Sequence, residues 1–190
     1  MRRAMKSTHA RRGIRWPAAT MATFLVAALV VTWPGRPVEA RAGEAQATVE
    51  HTDSEAQAIR GIIDKYARSV DGADTALAAE IWSKSPDVSF IHPRGRERGW
   101  EGVKRNFYEK LMGETFSERK LTPRDVVVHV YGEAAWAEFN WDFVAKVRNG
   151  GSTLKTKGRE TQIYRKTDGR WTLVHVHYSG MPVTERLQGF

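Results

Sequence analysis

The 190-residue chain contains no cysteine. Disulfide staples, thiolate nucleophiles and cysteine-based metal centres are therefore excluded, while an oxidising compartment is permitted without being demanded. There is no internal repeat and no low-complexity tract, which removes solenoids and fibrous arrays. A long apolar run is also missing. Ala18 to Trp33 comes nearest, with 16 residues that include three threonines, short of the ~20 that a spanning helix needs.

Basic charge is plentiful only on paper. The net charge of +8 is concentrated at the N-terminus: residues 1–42 hold eight of the 30 Lys/Arg and one of the 22 Asp/Glu. The other 148 residues carry 22 basic and 21 acidic side chains, a net of +1. A nucleic-acid partner needs a basic face on the folded domain itself, so none is expected. Arg2, Arg3, Lys6, Arg11, Arg12 and Arg15, the apolar run, and the small residues Ala40 and Ala42 build a three-part secretory signal with cleavage expected after Ala42. The mature protein is expected to be periplasmic or secreted, with no membrane attachment. The resulting division is signal peptide 1–42, flexible leader 43–53, one folded domain 54–184 and a short tail 185–190. About 150 residues suffice for a single core.

Periodicity organises that domain. Ile59, Ile62, Ile63, Tyr66 and Val70 recur at helical spacing until Asp71-Gly72. Asp74 caps a second, shorter helix bearing Leu77, Ile81 and Trp82. Val88 to Ile91 is a short strand ended by His92-Pro93, and Trp100 to Met112 a third helix with Val103, Phe107 and Leu111 four apart. The period then changes to two. Asp125 to Tyr131, Ala134 to Arg148 and Ser152 to Lys166 read as strands in a meander. Three helices followed by long antiparallel strands make an α+β chain whose helices cover one sheet face.

The most informative strand follows Asp168-Gly169, a dipeptide suited to a two-residue hairpin turn. Continuous alternation would put Trp171, Leu173, His175, His177 and Ser179 on one face, with Thr172, Val174, Val176 and Tyr178 on the other. A two-residue loop would set Tyr164 opposite Leu173, Gln162 opposite His175 and Glu160 opposite His177. Both imidazoles would then share a pocket wall with Glu160, Gln162 and Tyr164. On the preceding strand Glu138, Asn140 and Asp142 have one parity, and Phe139, Trp141 and Phe143 the other.

The run His175-Val176-His177-Tyr178-Ser179-Gly180-Met181-Pro182 after Asp168-Gly169-Arg170-Trp171, with Phe90-Ile91-His92-Pro93, Trp100-Glu101-Gly102 and Glu160-Thr161, resembles the association (hub) domain of calcium/calmodulin-dependent protein kinase II. Its bacterial relatives are the SnoaL-like, nuclear-transport-factor-2-like proteins. The resemblance covers roughly Glu55 to Pro182. It implies a cystatin-like α+β roll: a cone-shaped, strongly bent antiparallel sheet around three N-terminal helices. A pocket opens at one end, and association into homodimers or larger rings uses the outer sheet face. Ile163, Thr172, Val174 and Val176 are the residues expected at that contact. Where the hub's pocket arginines hold small carboxylates, the matching positions here are Asn140 and Gln162, so a small anion is not the expected ligand.

The expected function is a binding domain for a small, mostly neutral molecule. The alternatives are a cofactor-independent isomerase, cyclase or dehydratase using a pocket His or carboxylate as general acid/base, and a partner-docking module. Candidate ligand-contacting residues are Tyr66, His92, Trp100, Asn140, Asp142, Glu160, Gln162, Tyr164, His175 and His177. No cofactor is expected. His-x-His lacks a third ligand at metal-site spacing, so no metal is expected either.

Overall fold

The computed structural model describes residues 38–181, with side chains from 50 onward. Most of the expected signal peptide thus lies outside the described residues. Helix α1 runs Val38–Gly72, so residues 43–53, expected as a flexible leader, are helical. Glu44, Ala45, Gln46 and Ala47 are strong helix formers with no proline among them. Ile59, Ile63, Tyr66, Ala67 and Val70 form the buried stripe of α1. Asp74 caps α2 (Thr75–Ile81): its Oδ1 accepts from the backbone N–H groups of Ala76 and Leu77 at 2.9 and 3.0 Å.

The short hairpin of β1 (Ser89–His92) and β2 (Gly95–Arg98) precedes α3 (Gly99–Gly102), which continues as a π-helix over Val103–Glu114. The wider π turn buries Val103, Phe107, Tyr108 and Met112, at spacings of four or five along the chain. The remaining strands are β3 (Phe116–Tyr131), β4 (Ala134–Val147), β5 (Thr153–Thr167) and β6 (Arg170–Gly180). β3 starts well before the expected Asp125. Pro123 hides it from a sequence reading, yet β3 is an edge strand, where a missing N–H donor is tolerated.

The six strands lie in the order β2-β1-β6-β5-β4-β3, antiparallel throughout except for β1 against β6. The sheet is curved and unclosed around the helices, the α+β roll expected from the chain's pattern. α1 is fastened to it at two points, the β5–β6 hairpin and the edge strand β3. Glu55 accepts from Lys166 Nζ at 2.6 Å and from Trp171 Nε1, and Asp71 accepts from the Leu121 N–H at 2.6 Å and Lys120 Nζ at 2.8 Å. Between helices, Tyr108 Oη takes the Trp82 Nε1 proton at 3.2 Å and meets Ser69 Oγ at 3.0 Å. These polar groups are buried and mutually satisfied, as an apolar interior requires.

Candidate active site

The hairpin between β5 and β6 decides what faces inward. Asp168 and Gly169 both have positive φ, 51° and 74°, the geometry of a two-residue turn matched to strand twist. Thr167 pairs with Arg170 and Tyr164 with Leu173, as expected. Val174 is then an extra residue: Ile163 pairs with His175, Gln162 with Val176 and Glu160 with Tyr178. One bulge exchanges the two faces of everything beyond it. The expected pairs Gln162–His175 and Glu160–His177 do not form, and the imidazoles do not share the inner wall with Glu160. Val176 and Tyr178 take those places, and Val176, expected at an outer contact, is fully buried.

On the inner side lies a cavity of ≈ 240 Å³. Its walls are Tyr66 and Val70 from α1, Phe107, Leu111 and Met112 from the π-helix, and Phe116 and Leu121 from β3. Trp141 and Phe143 of β4, Leu154, Thr156 and Glu160 of β5, and Tyr178 and Gly180 of β6 complete the sheet side, with Pro93 and Arg94 at the β1–β2 turn. Gly158 lets Trp141 lie flat against the sheet. A Cβ there would come within 2.0 Å of the Ser179 carbonyl oxygen and 2.5 Å of the indole.

Glu160 is the carboxyl of this wall and is 4% exposed. Its Oε1 accepts from Gln162 Nε2 at 2.6 Å, and the Tyr164 hydroxyl donates to Gln162 Oε1. Burial pushes the Glu160 carboxyl up to about 8, only partly opposed by its hydrogen bonds to Gln162 and Tyr66. Burial likewise pushes Tyr178 up to about 12 and raises Tyr66 and Tyr164 far above the ordinary phenol range, with the Glu160 charge adding to each. At neutral pH the site is a set of neutral hydroxyl and carboxyl groups in apolar surroundings. The buried Trp141 Nε1 has no hydrogen-bond partner among the described residues.

The other candidates are dispersed. His92 is buried at the end of β1, stacked on Tyr178 at 6.1 Å and 3.4 Å from Glu97 Oε1, next to the cavity's Pro93 and Arg94. Trp100 is core, with Lys84 Nζ 3.7 Å from its ring centroid. Asn140 and Asp142 have the parity opposite to Trp141 and so lie on the outer face. Asn140 donates to Asp125 Oδ2 at 3.0 Å and Asp142 pairs with Arg124. His175 Nδ1 is 2.7 Å from Ser89 Oγ, and desolvation first, then His177 and Arg96, lowers its pKa. His177 is exposed and borders a polar groove of ≈ 500 Å³ with Asn140, Arg159 and Thr161, a groove that Glu160 lines as well. Of the ten candidates, Tyr66, Glu160, Gln162 and Tyr164 come together on the inner side, with His92 at its border.

A model of the SnoaL-like domain matches residues 59–184. A nuclear-transport-factor-2-like superfamily protein of Salmonella enterica is 45% identical over 73% of this chain and 99% of its own, with a TM-score of 0.71. This chain is a SnoaL-like domain protein. More distant structures share the fold. A hexachlorocyclohexane dehydrochlorinase of Novosphingobium barchaimii is 15% identical over 67% of this chain and 86% of its own, TM-score 0.60. A protein with a cystatin-like fold from Caulobacter vibrioides is 19% identical over 66% and 89%, TM-score 0.57.

In this SnoaL-like protein the residues that sequence reasoning missed are Tyr178, Trp141 and Arg94. The Phe139-Trp141-Phe143 alternation does mark an apolar inner wall, with all three buried. Tyr178 carries no such mark, because its side depends on a bulge among Leu173, Val174 and His175 that no glycine announces.

Proposed function

We propose that this SnoaL-like domain binds a small, mostly neutral, predominantly apolar molecule in the cavity between the helices and the inner sheet face. The observation that carries this reading is the wall itself: apolar side chains from α1, the π-helix and four strands around one buried carboxyl, whose proton affinity that burial raises. An anion would have to desolvate beside Glu160, and the one cation lining the cavity among the described residues, Arg94, sits on the exposed β1–β2 turn. At ≈ 240 Å³ the space falls just below the ~300–1,000 Å³ of drug-sized pockets, which suits a compact ligand. Native mass spectrometry of protein from its own host should show a co-purifying small molecule. Leu111→Trp, which fills the cavity, should lose it; retention in the filled variant would refute the site.

A second reading has Glu160 move a proton on that ligand. A carboxyl at about 8 is poised for general acid/base work near neutrality, and one fold relative is a dehydrochlorinase by name. Glu160→Gln would then abolish turnover while leaving ligand capture measurable.

Export and self-association complete the proposal. The basic, apolar and small-residue segments of residues 1–42 support secretion, tested by the mass of the mature chain. Exposed apolar side chains on the outer face, Val127 at 44% and Ile163 at 41%, support pairing of two copies there. A monomer by light scattering would contradict it.

A further inference from the structure

β5 places three polar side chains in a row on its inner face, at Glu160, Gln162 and Tyr164, because alternate residues of a strand share a side. All three are buried, Gln162 completely. Glu160 belongs to the cavity wall, whereas Gln162 and Tyr164 lie behind it. The bonds run one way along the strand. The Tyr164 hydroxyl donates to Gln162 Oε1, and Gln162 Nε2 donates to Glu160 Oε1 at 2.6 Å.

That direction has a cause. An amide can be turned end for end at little intrinsic cost, so its neighbours decide which end is oxygen. A phenol buried at Tyr164 must place its proton on an acceptor, and Gln162 Oε1 is the one the structure provides. With the amide oxygen so occupied, only its NH₂ can face Glu160. Glu160 Oε1 is then committed as an acceptor and cannot carry the carboxyl proton toward Gln162. The proton belongs on Oε2. From there it is offered to the cavity, since the Tyr66 hydroxyl, which lines the same cavity, donates to this carboxyl and does not take its proton. An O–H donor then faces the ligand.

We propose that Tyr164 is a positioning residue that, through Gln162, turns the Glu160 proton toward the cavity, so that the site selects neutral molecules carrying a hydrogen-bond acceptor on an apolar frame. This rests on the cavity being the binding site. The titratable and charged groups around Glu160 are Tyr66 from α1, Tyr108 from the π-helix, Tyr178 from β6, Tyr164 on β5 and Arg94 at the β1–β2 turn. Burial holds the four phenols neutral across the range in which Glu160 changes charge. The Glu160 donor is therefore lost when it ionises, near 8, while the Trp141 Nε1–H and the Tyr178 hydroxyl of the same wall remain as a background that does not titrate there.

The test uses acetophenone and α-methylstyrene, which have the same shape and differ by a carbonyl in place of a methylene. NMR titration of the full domain below the Glu160 transition should show acetophenone binding about three- to tenfold more tightly, the worth of one net hydrogen bond. Above that transition the preference should fall to the residual level that Trp141 Nε1 and Tyr178 support, in the unaltered protein, an arm that needs no variant to fold. In Tyr164→Phe the amide is free to turn and accept the Glu160 proton. The preference should then fall to that same residual level below the transition too, and the Glu160 midpoint should rise by about one pH unit. Because the ratio is read within one variant, loosened packing scales both probes alike and leaves it unmoved. Equal binding of the two probes by the unaltered protein, or an undiminished preference in Tyr164→Phe, would overturn the proposal while leaving the cavity as a binding site. Failure of both probes to bind would remove the binding site and the proposal together.

Discussion

At Glu160 the chain puts a carboxyl where bulk water does not reach, and the consequence is thermodynamic as well as functional. Its pKa rises from 4.5 to about 8 on folding, so between those values the native state binds more protons than the unfolded chain. Stability from this group is complete below pH 4.5 and is lost as pH climbs through 8. Thermal unfolding of Glu160→Gln should lack that fall, so the difference between variant and parent should grow in the variant's favour as pH rises across the interval; curves that stay parallel would contradict the burial. Gly158 makes a different residue-scale point. A methyl group at this position meets backbone and an indole ring at once, and neither is the free end of a flexible side chain. Gly158→Ala should lower stability by about 1–3 kcal/mol, read from the urea midpoint.

Among elements, β6 carries the clearest lesson. His177 and Tyr178 are neighbours in sequence, yet the bulge at Val174 sends one outward and the other against Phe90, His92 and Trp141, with ring centroids 5.7, 6.1 and 5.6 Å away. His177→Ala should change stability by no more than about 0.5 kcal/mol, whereas Tyr178→Ala should cost about 2–4 kcal/mol; urea titrations giving the reverse order would restore the continuous strand. Period and turn chemistry were enough to read α1 from its Ile59–Val70 stripe, the Asp74 cap and the Asp168-Gly169 turn. They were enough for Glu160 too, because the residues of β5 have no bulge to displace them. They failed where geometry depends on a single inserted residue, at Val174, and where edge position overrules a proline, at Pro123. The histidines drew attention because imidazole chemistry is conspicuous in a sequence. A bulge at a β-branched residue such as Val174, an ordinary strand former, is not.

Over the whole molecule, the curved sheet separates two chemistries that the sequence interleaves residue by residue. The outer face collects the paired charges Arg124–Asp142 and Lys146–Glu118, together with the exposed His177. The inner face collects the aromatic and aliphatic side chains, with the Tyr164–Gln162–Glu160 chain set among them. Helix α1 and the π-helix close the cavity over that chain, which is what makes an ordinary glutamate a neutral acid at physiological pH. The most direct test is a titration of the side-chain carboxyl carbons in protein labelled with carbon-13 at glutamate, Glu160 being assigned by its absence in Glu160→Gln. A carboxyl enclosed by an apolar cavity should titrate near 8 and move further upward when a neutral ligand fills the space. A midpoint at the ordinary 4.5, unmoved by ligand, would mean that the carboxyl stands in water and that the cavity described here is not the protein's binding site.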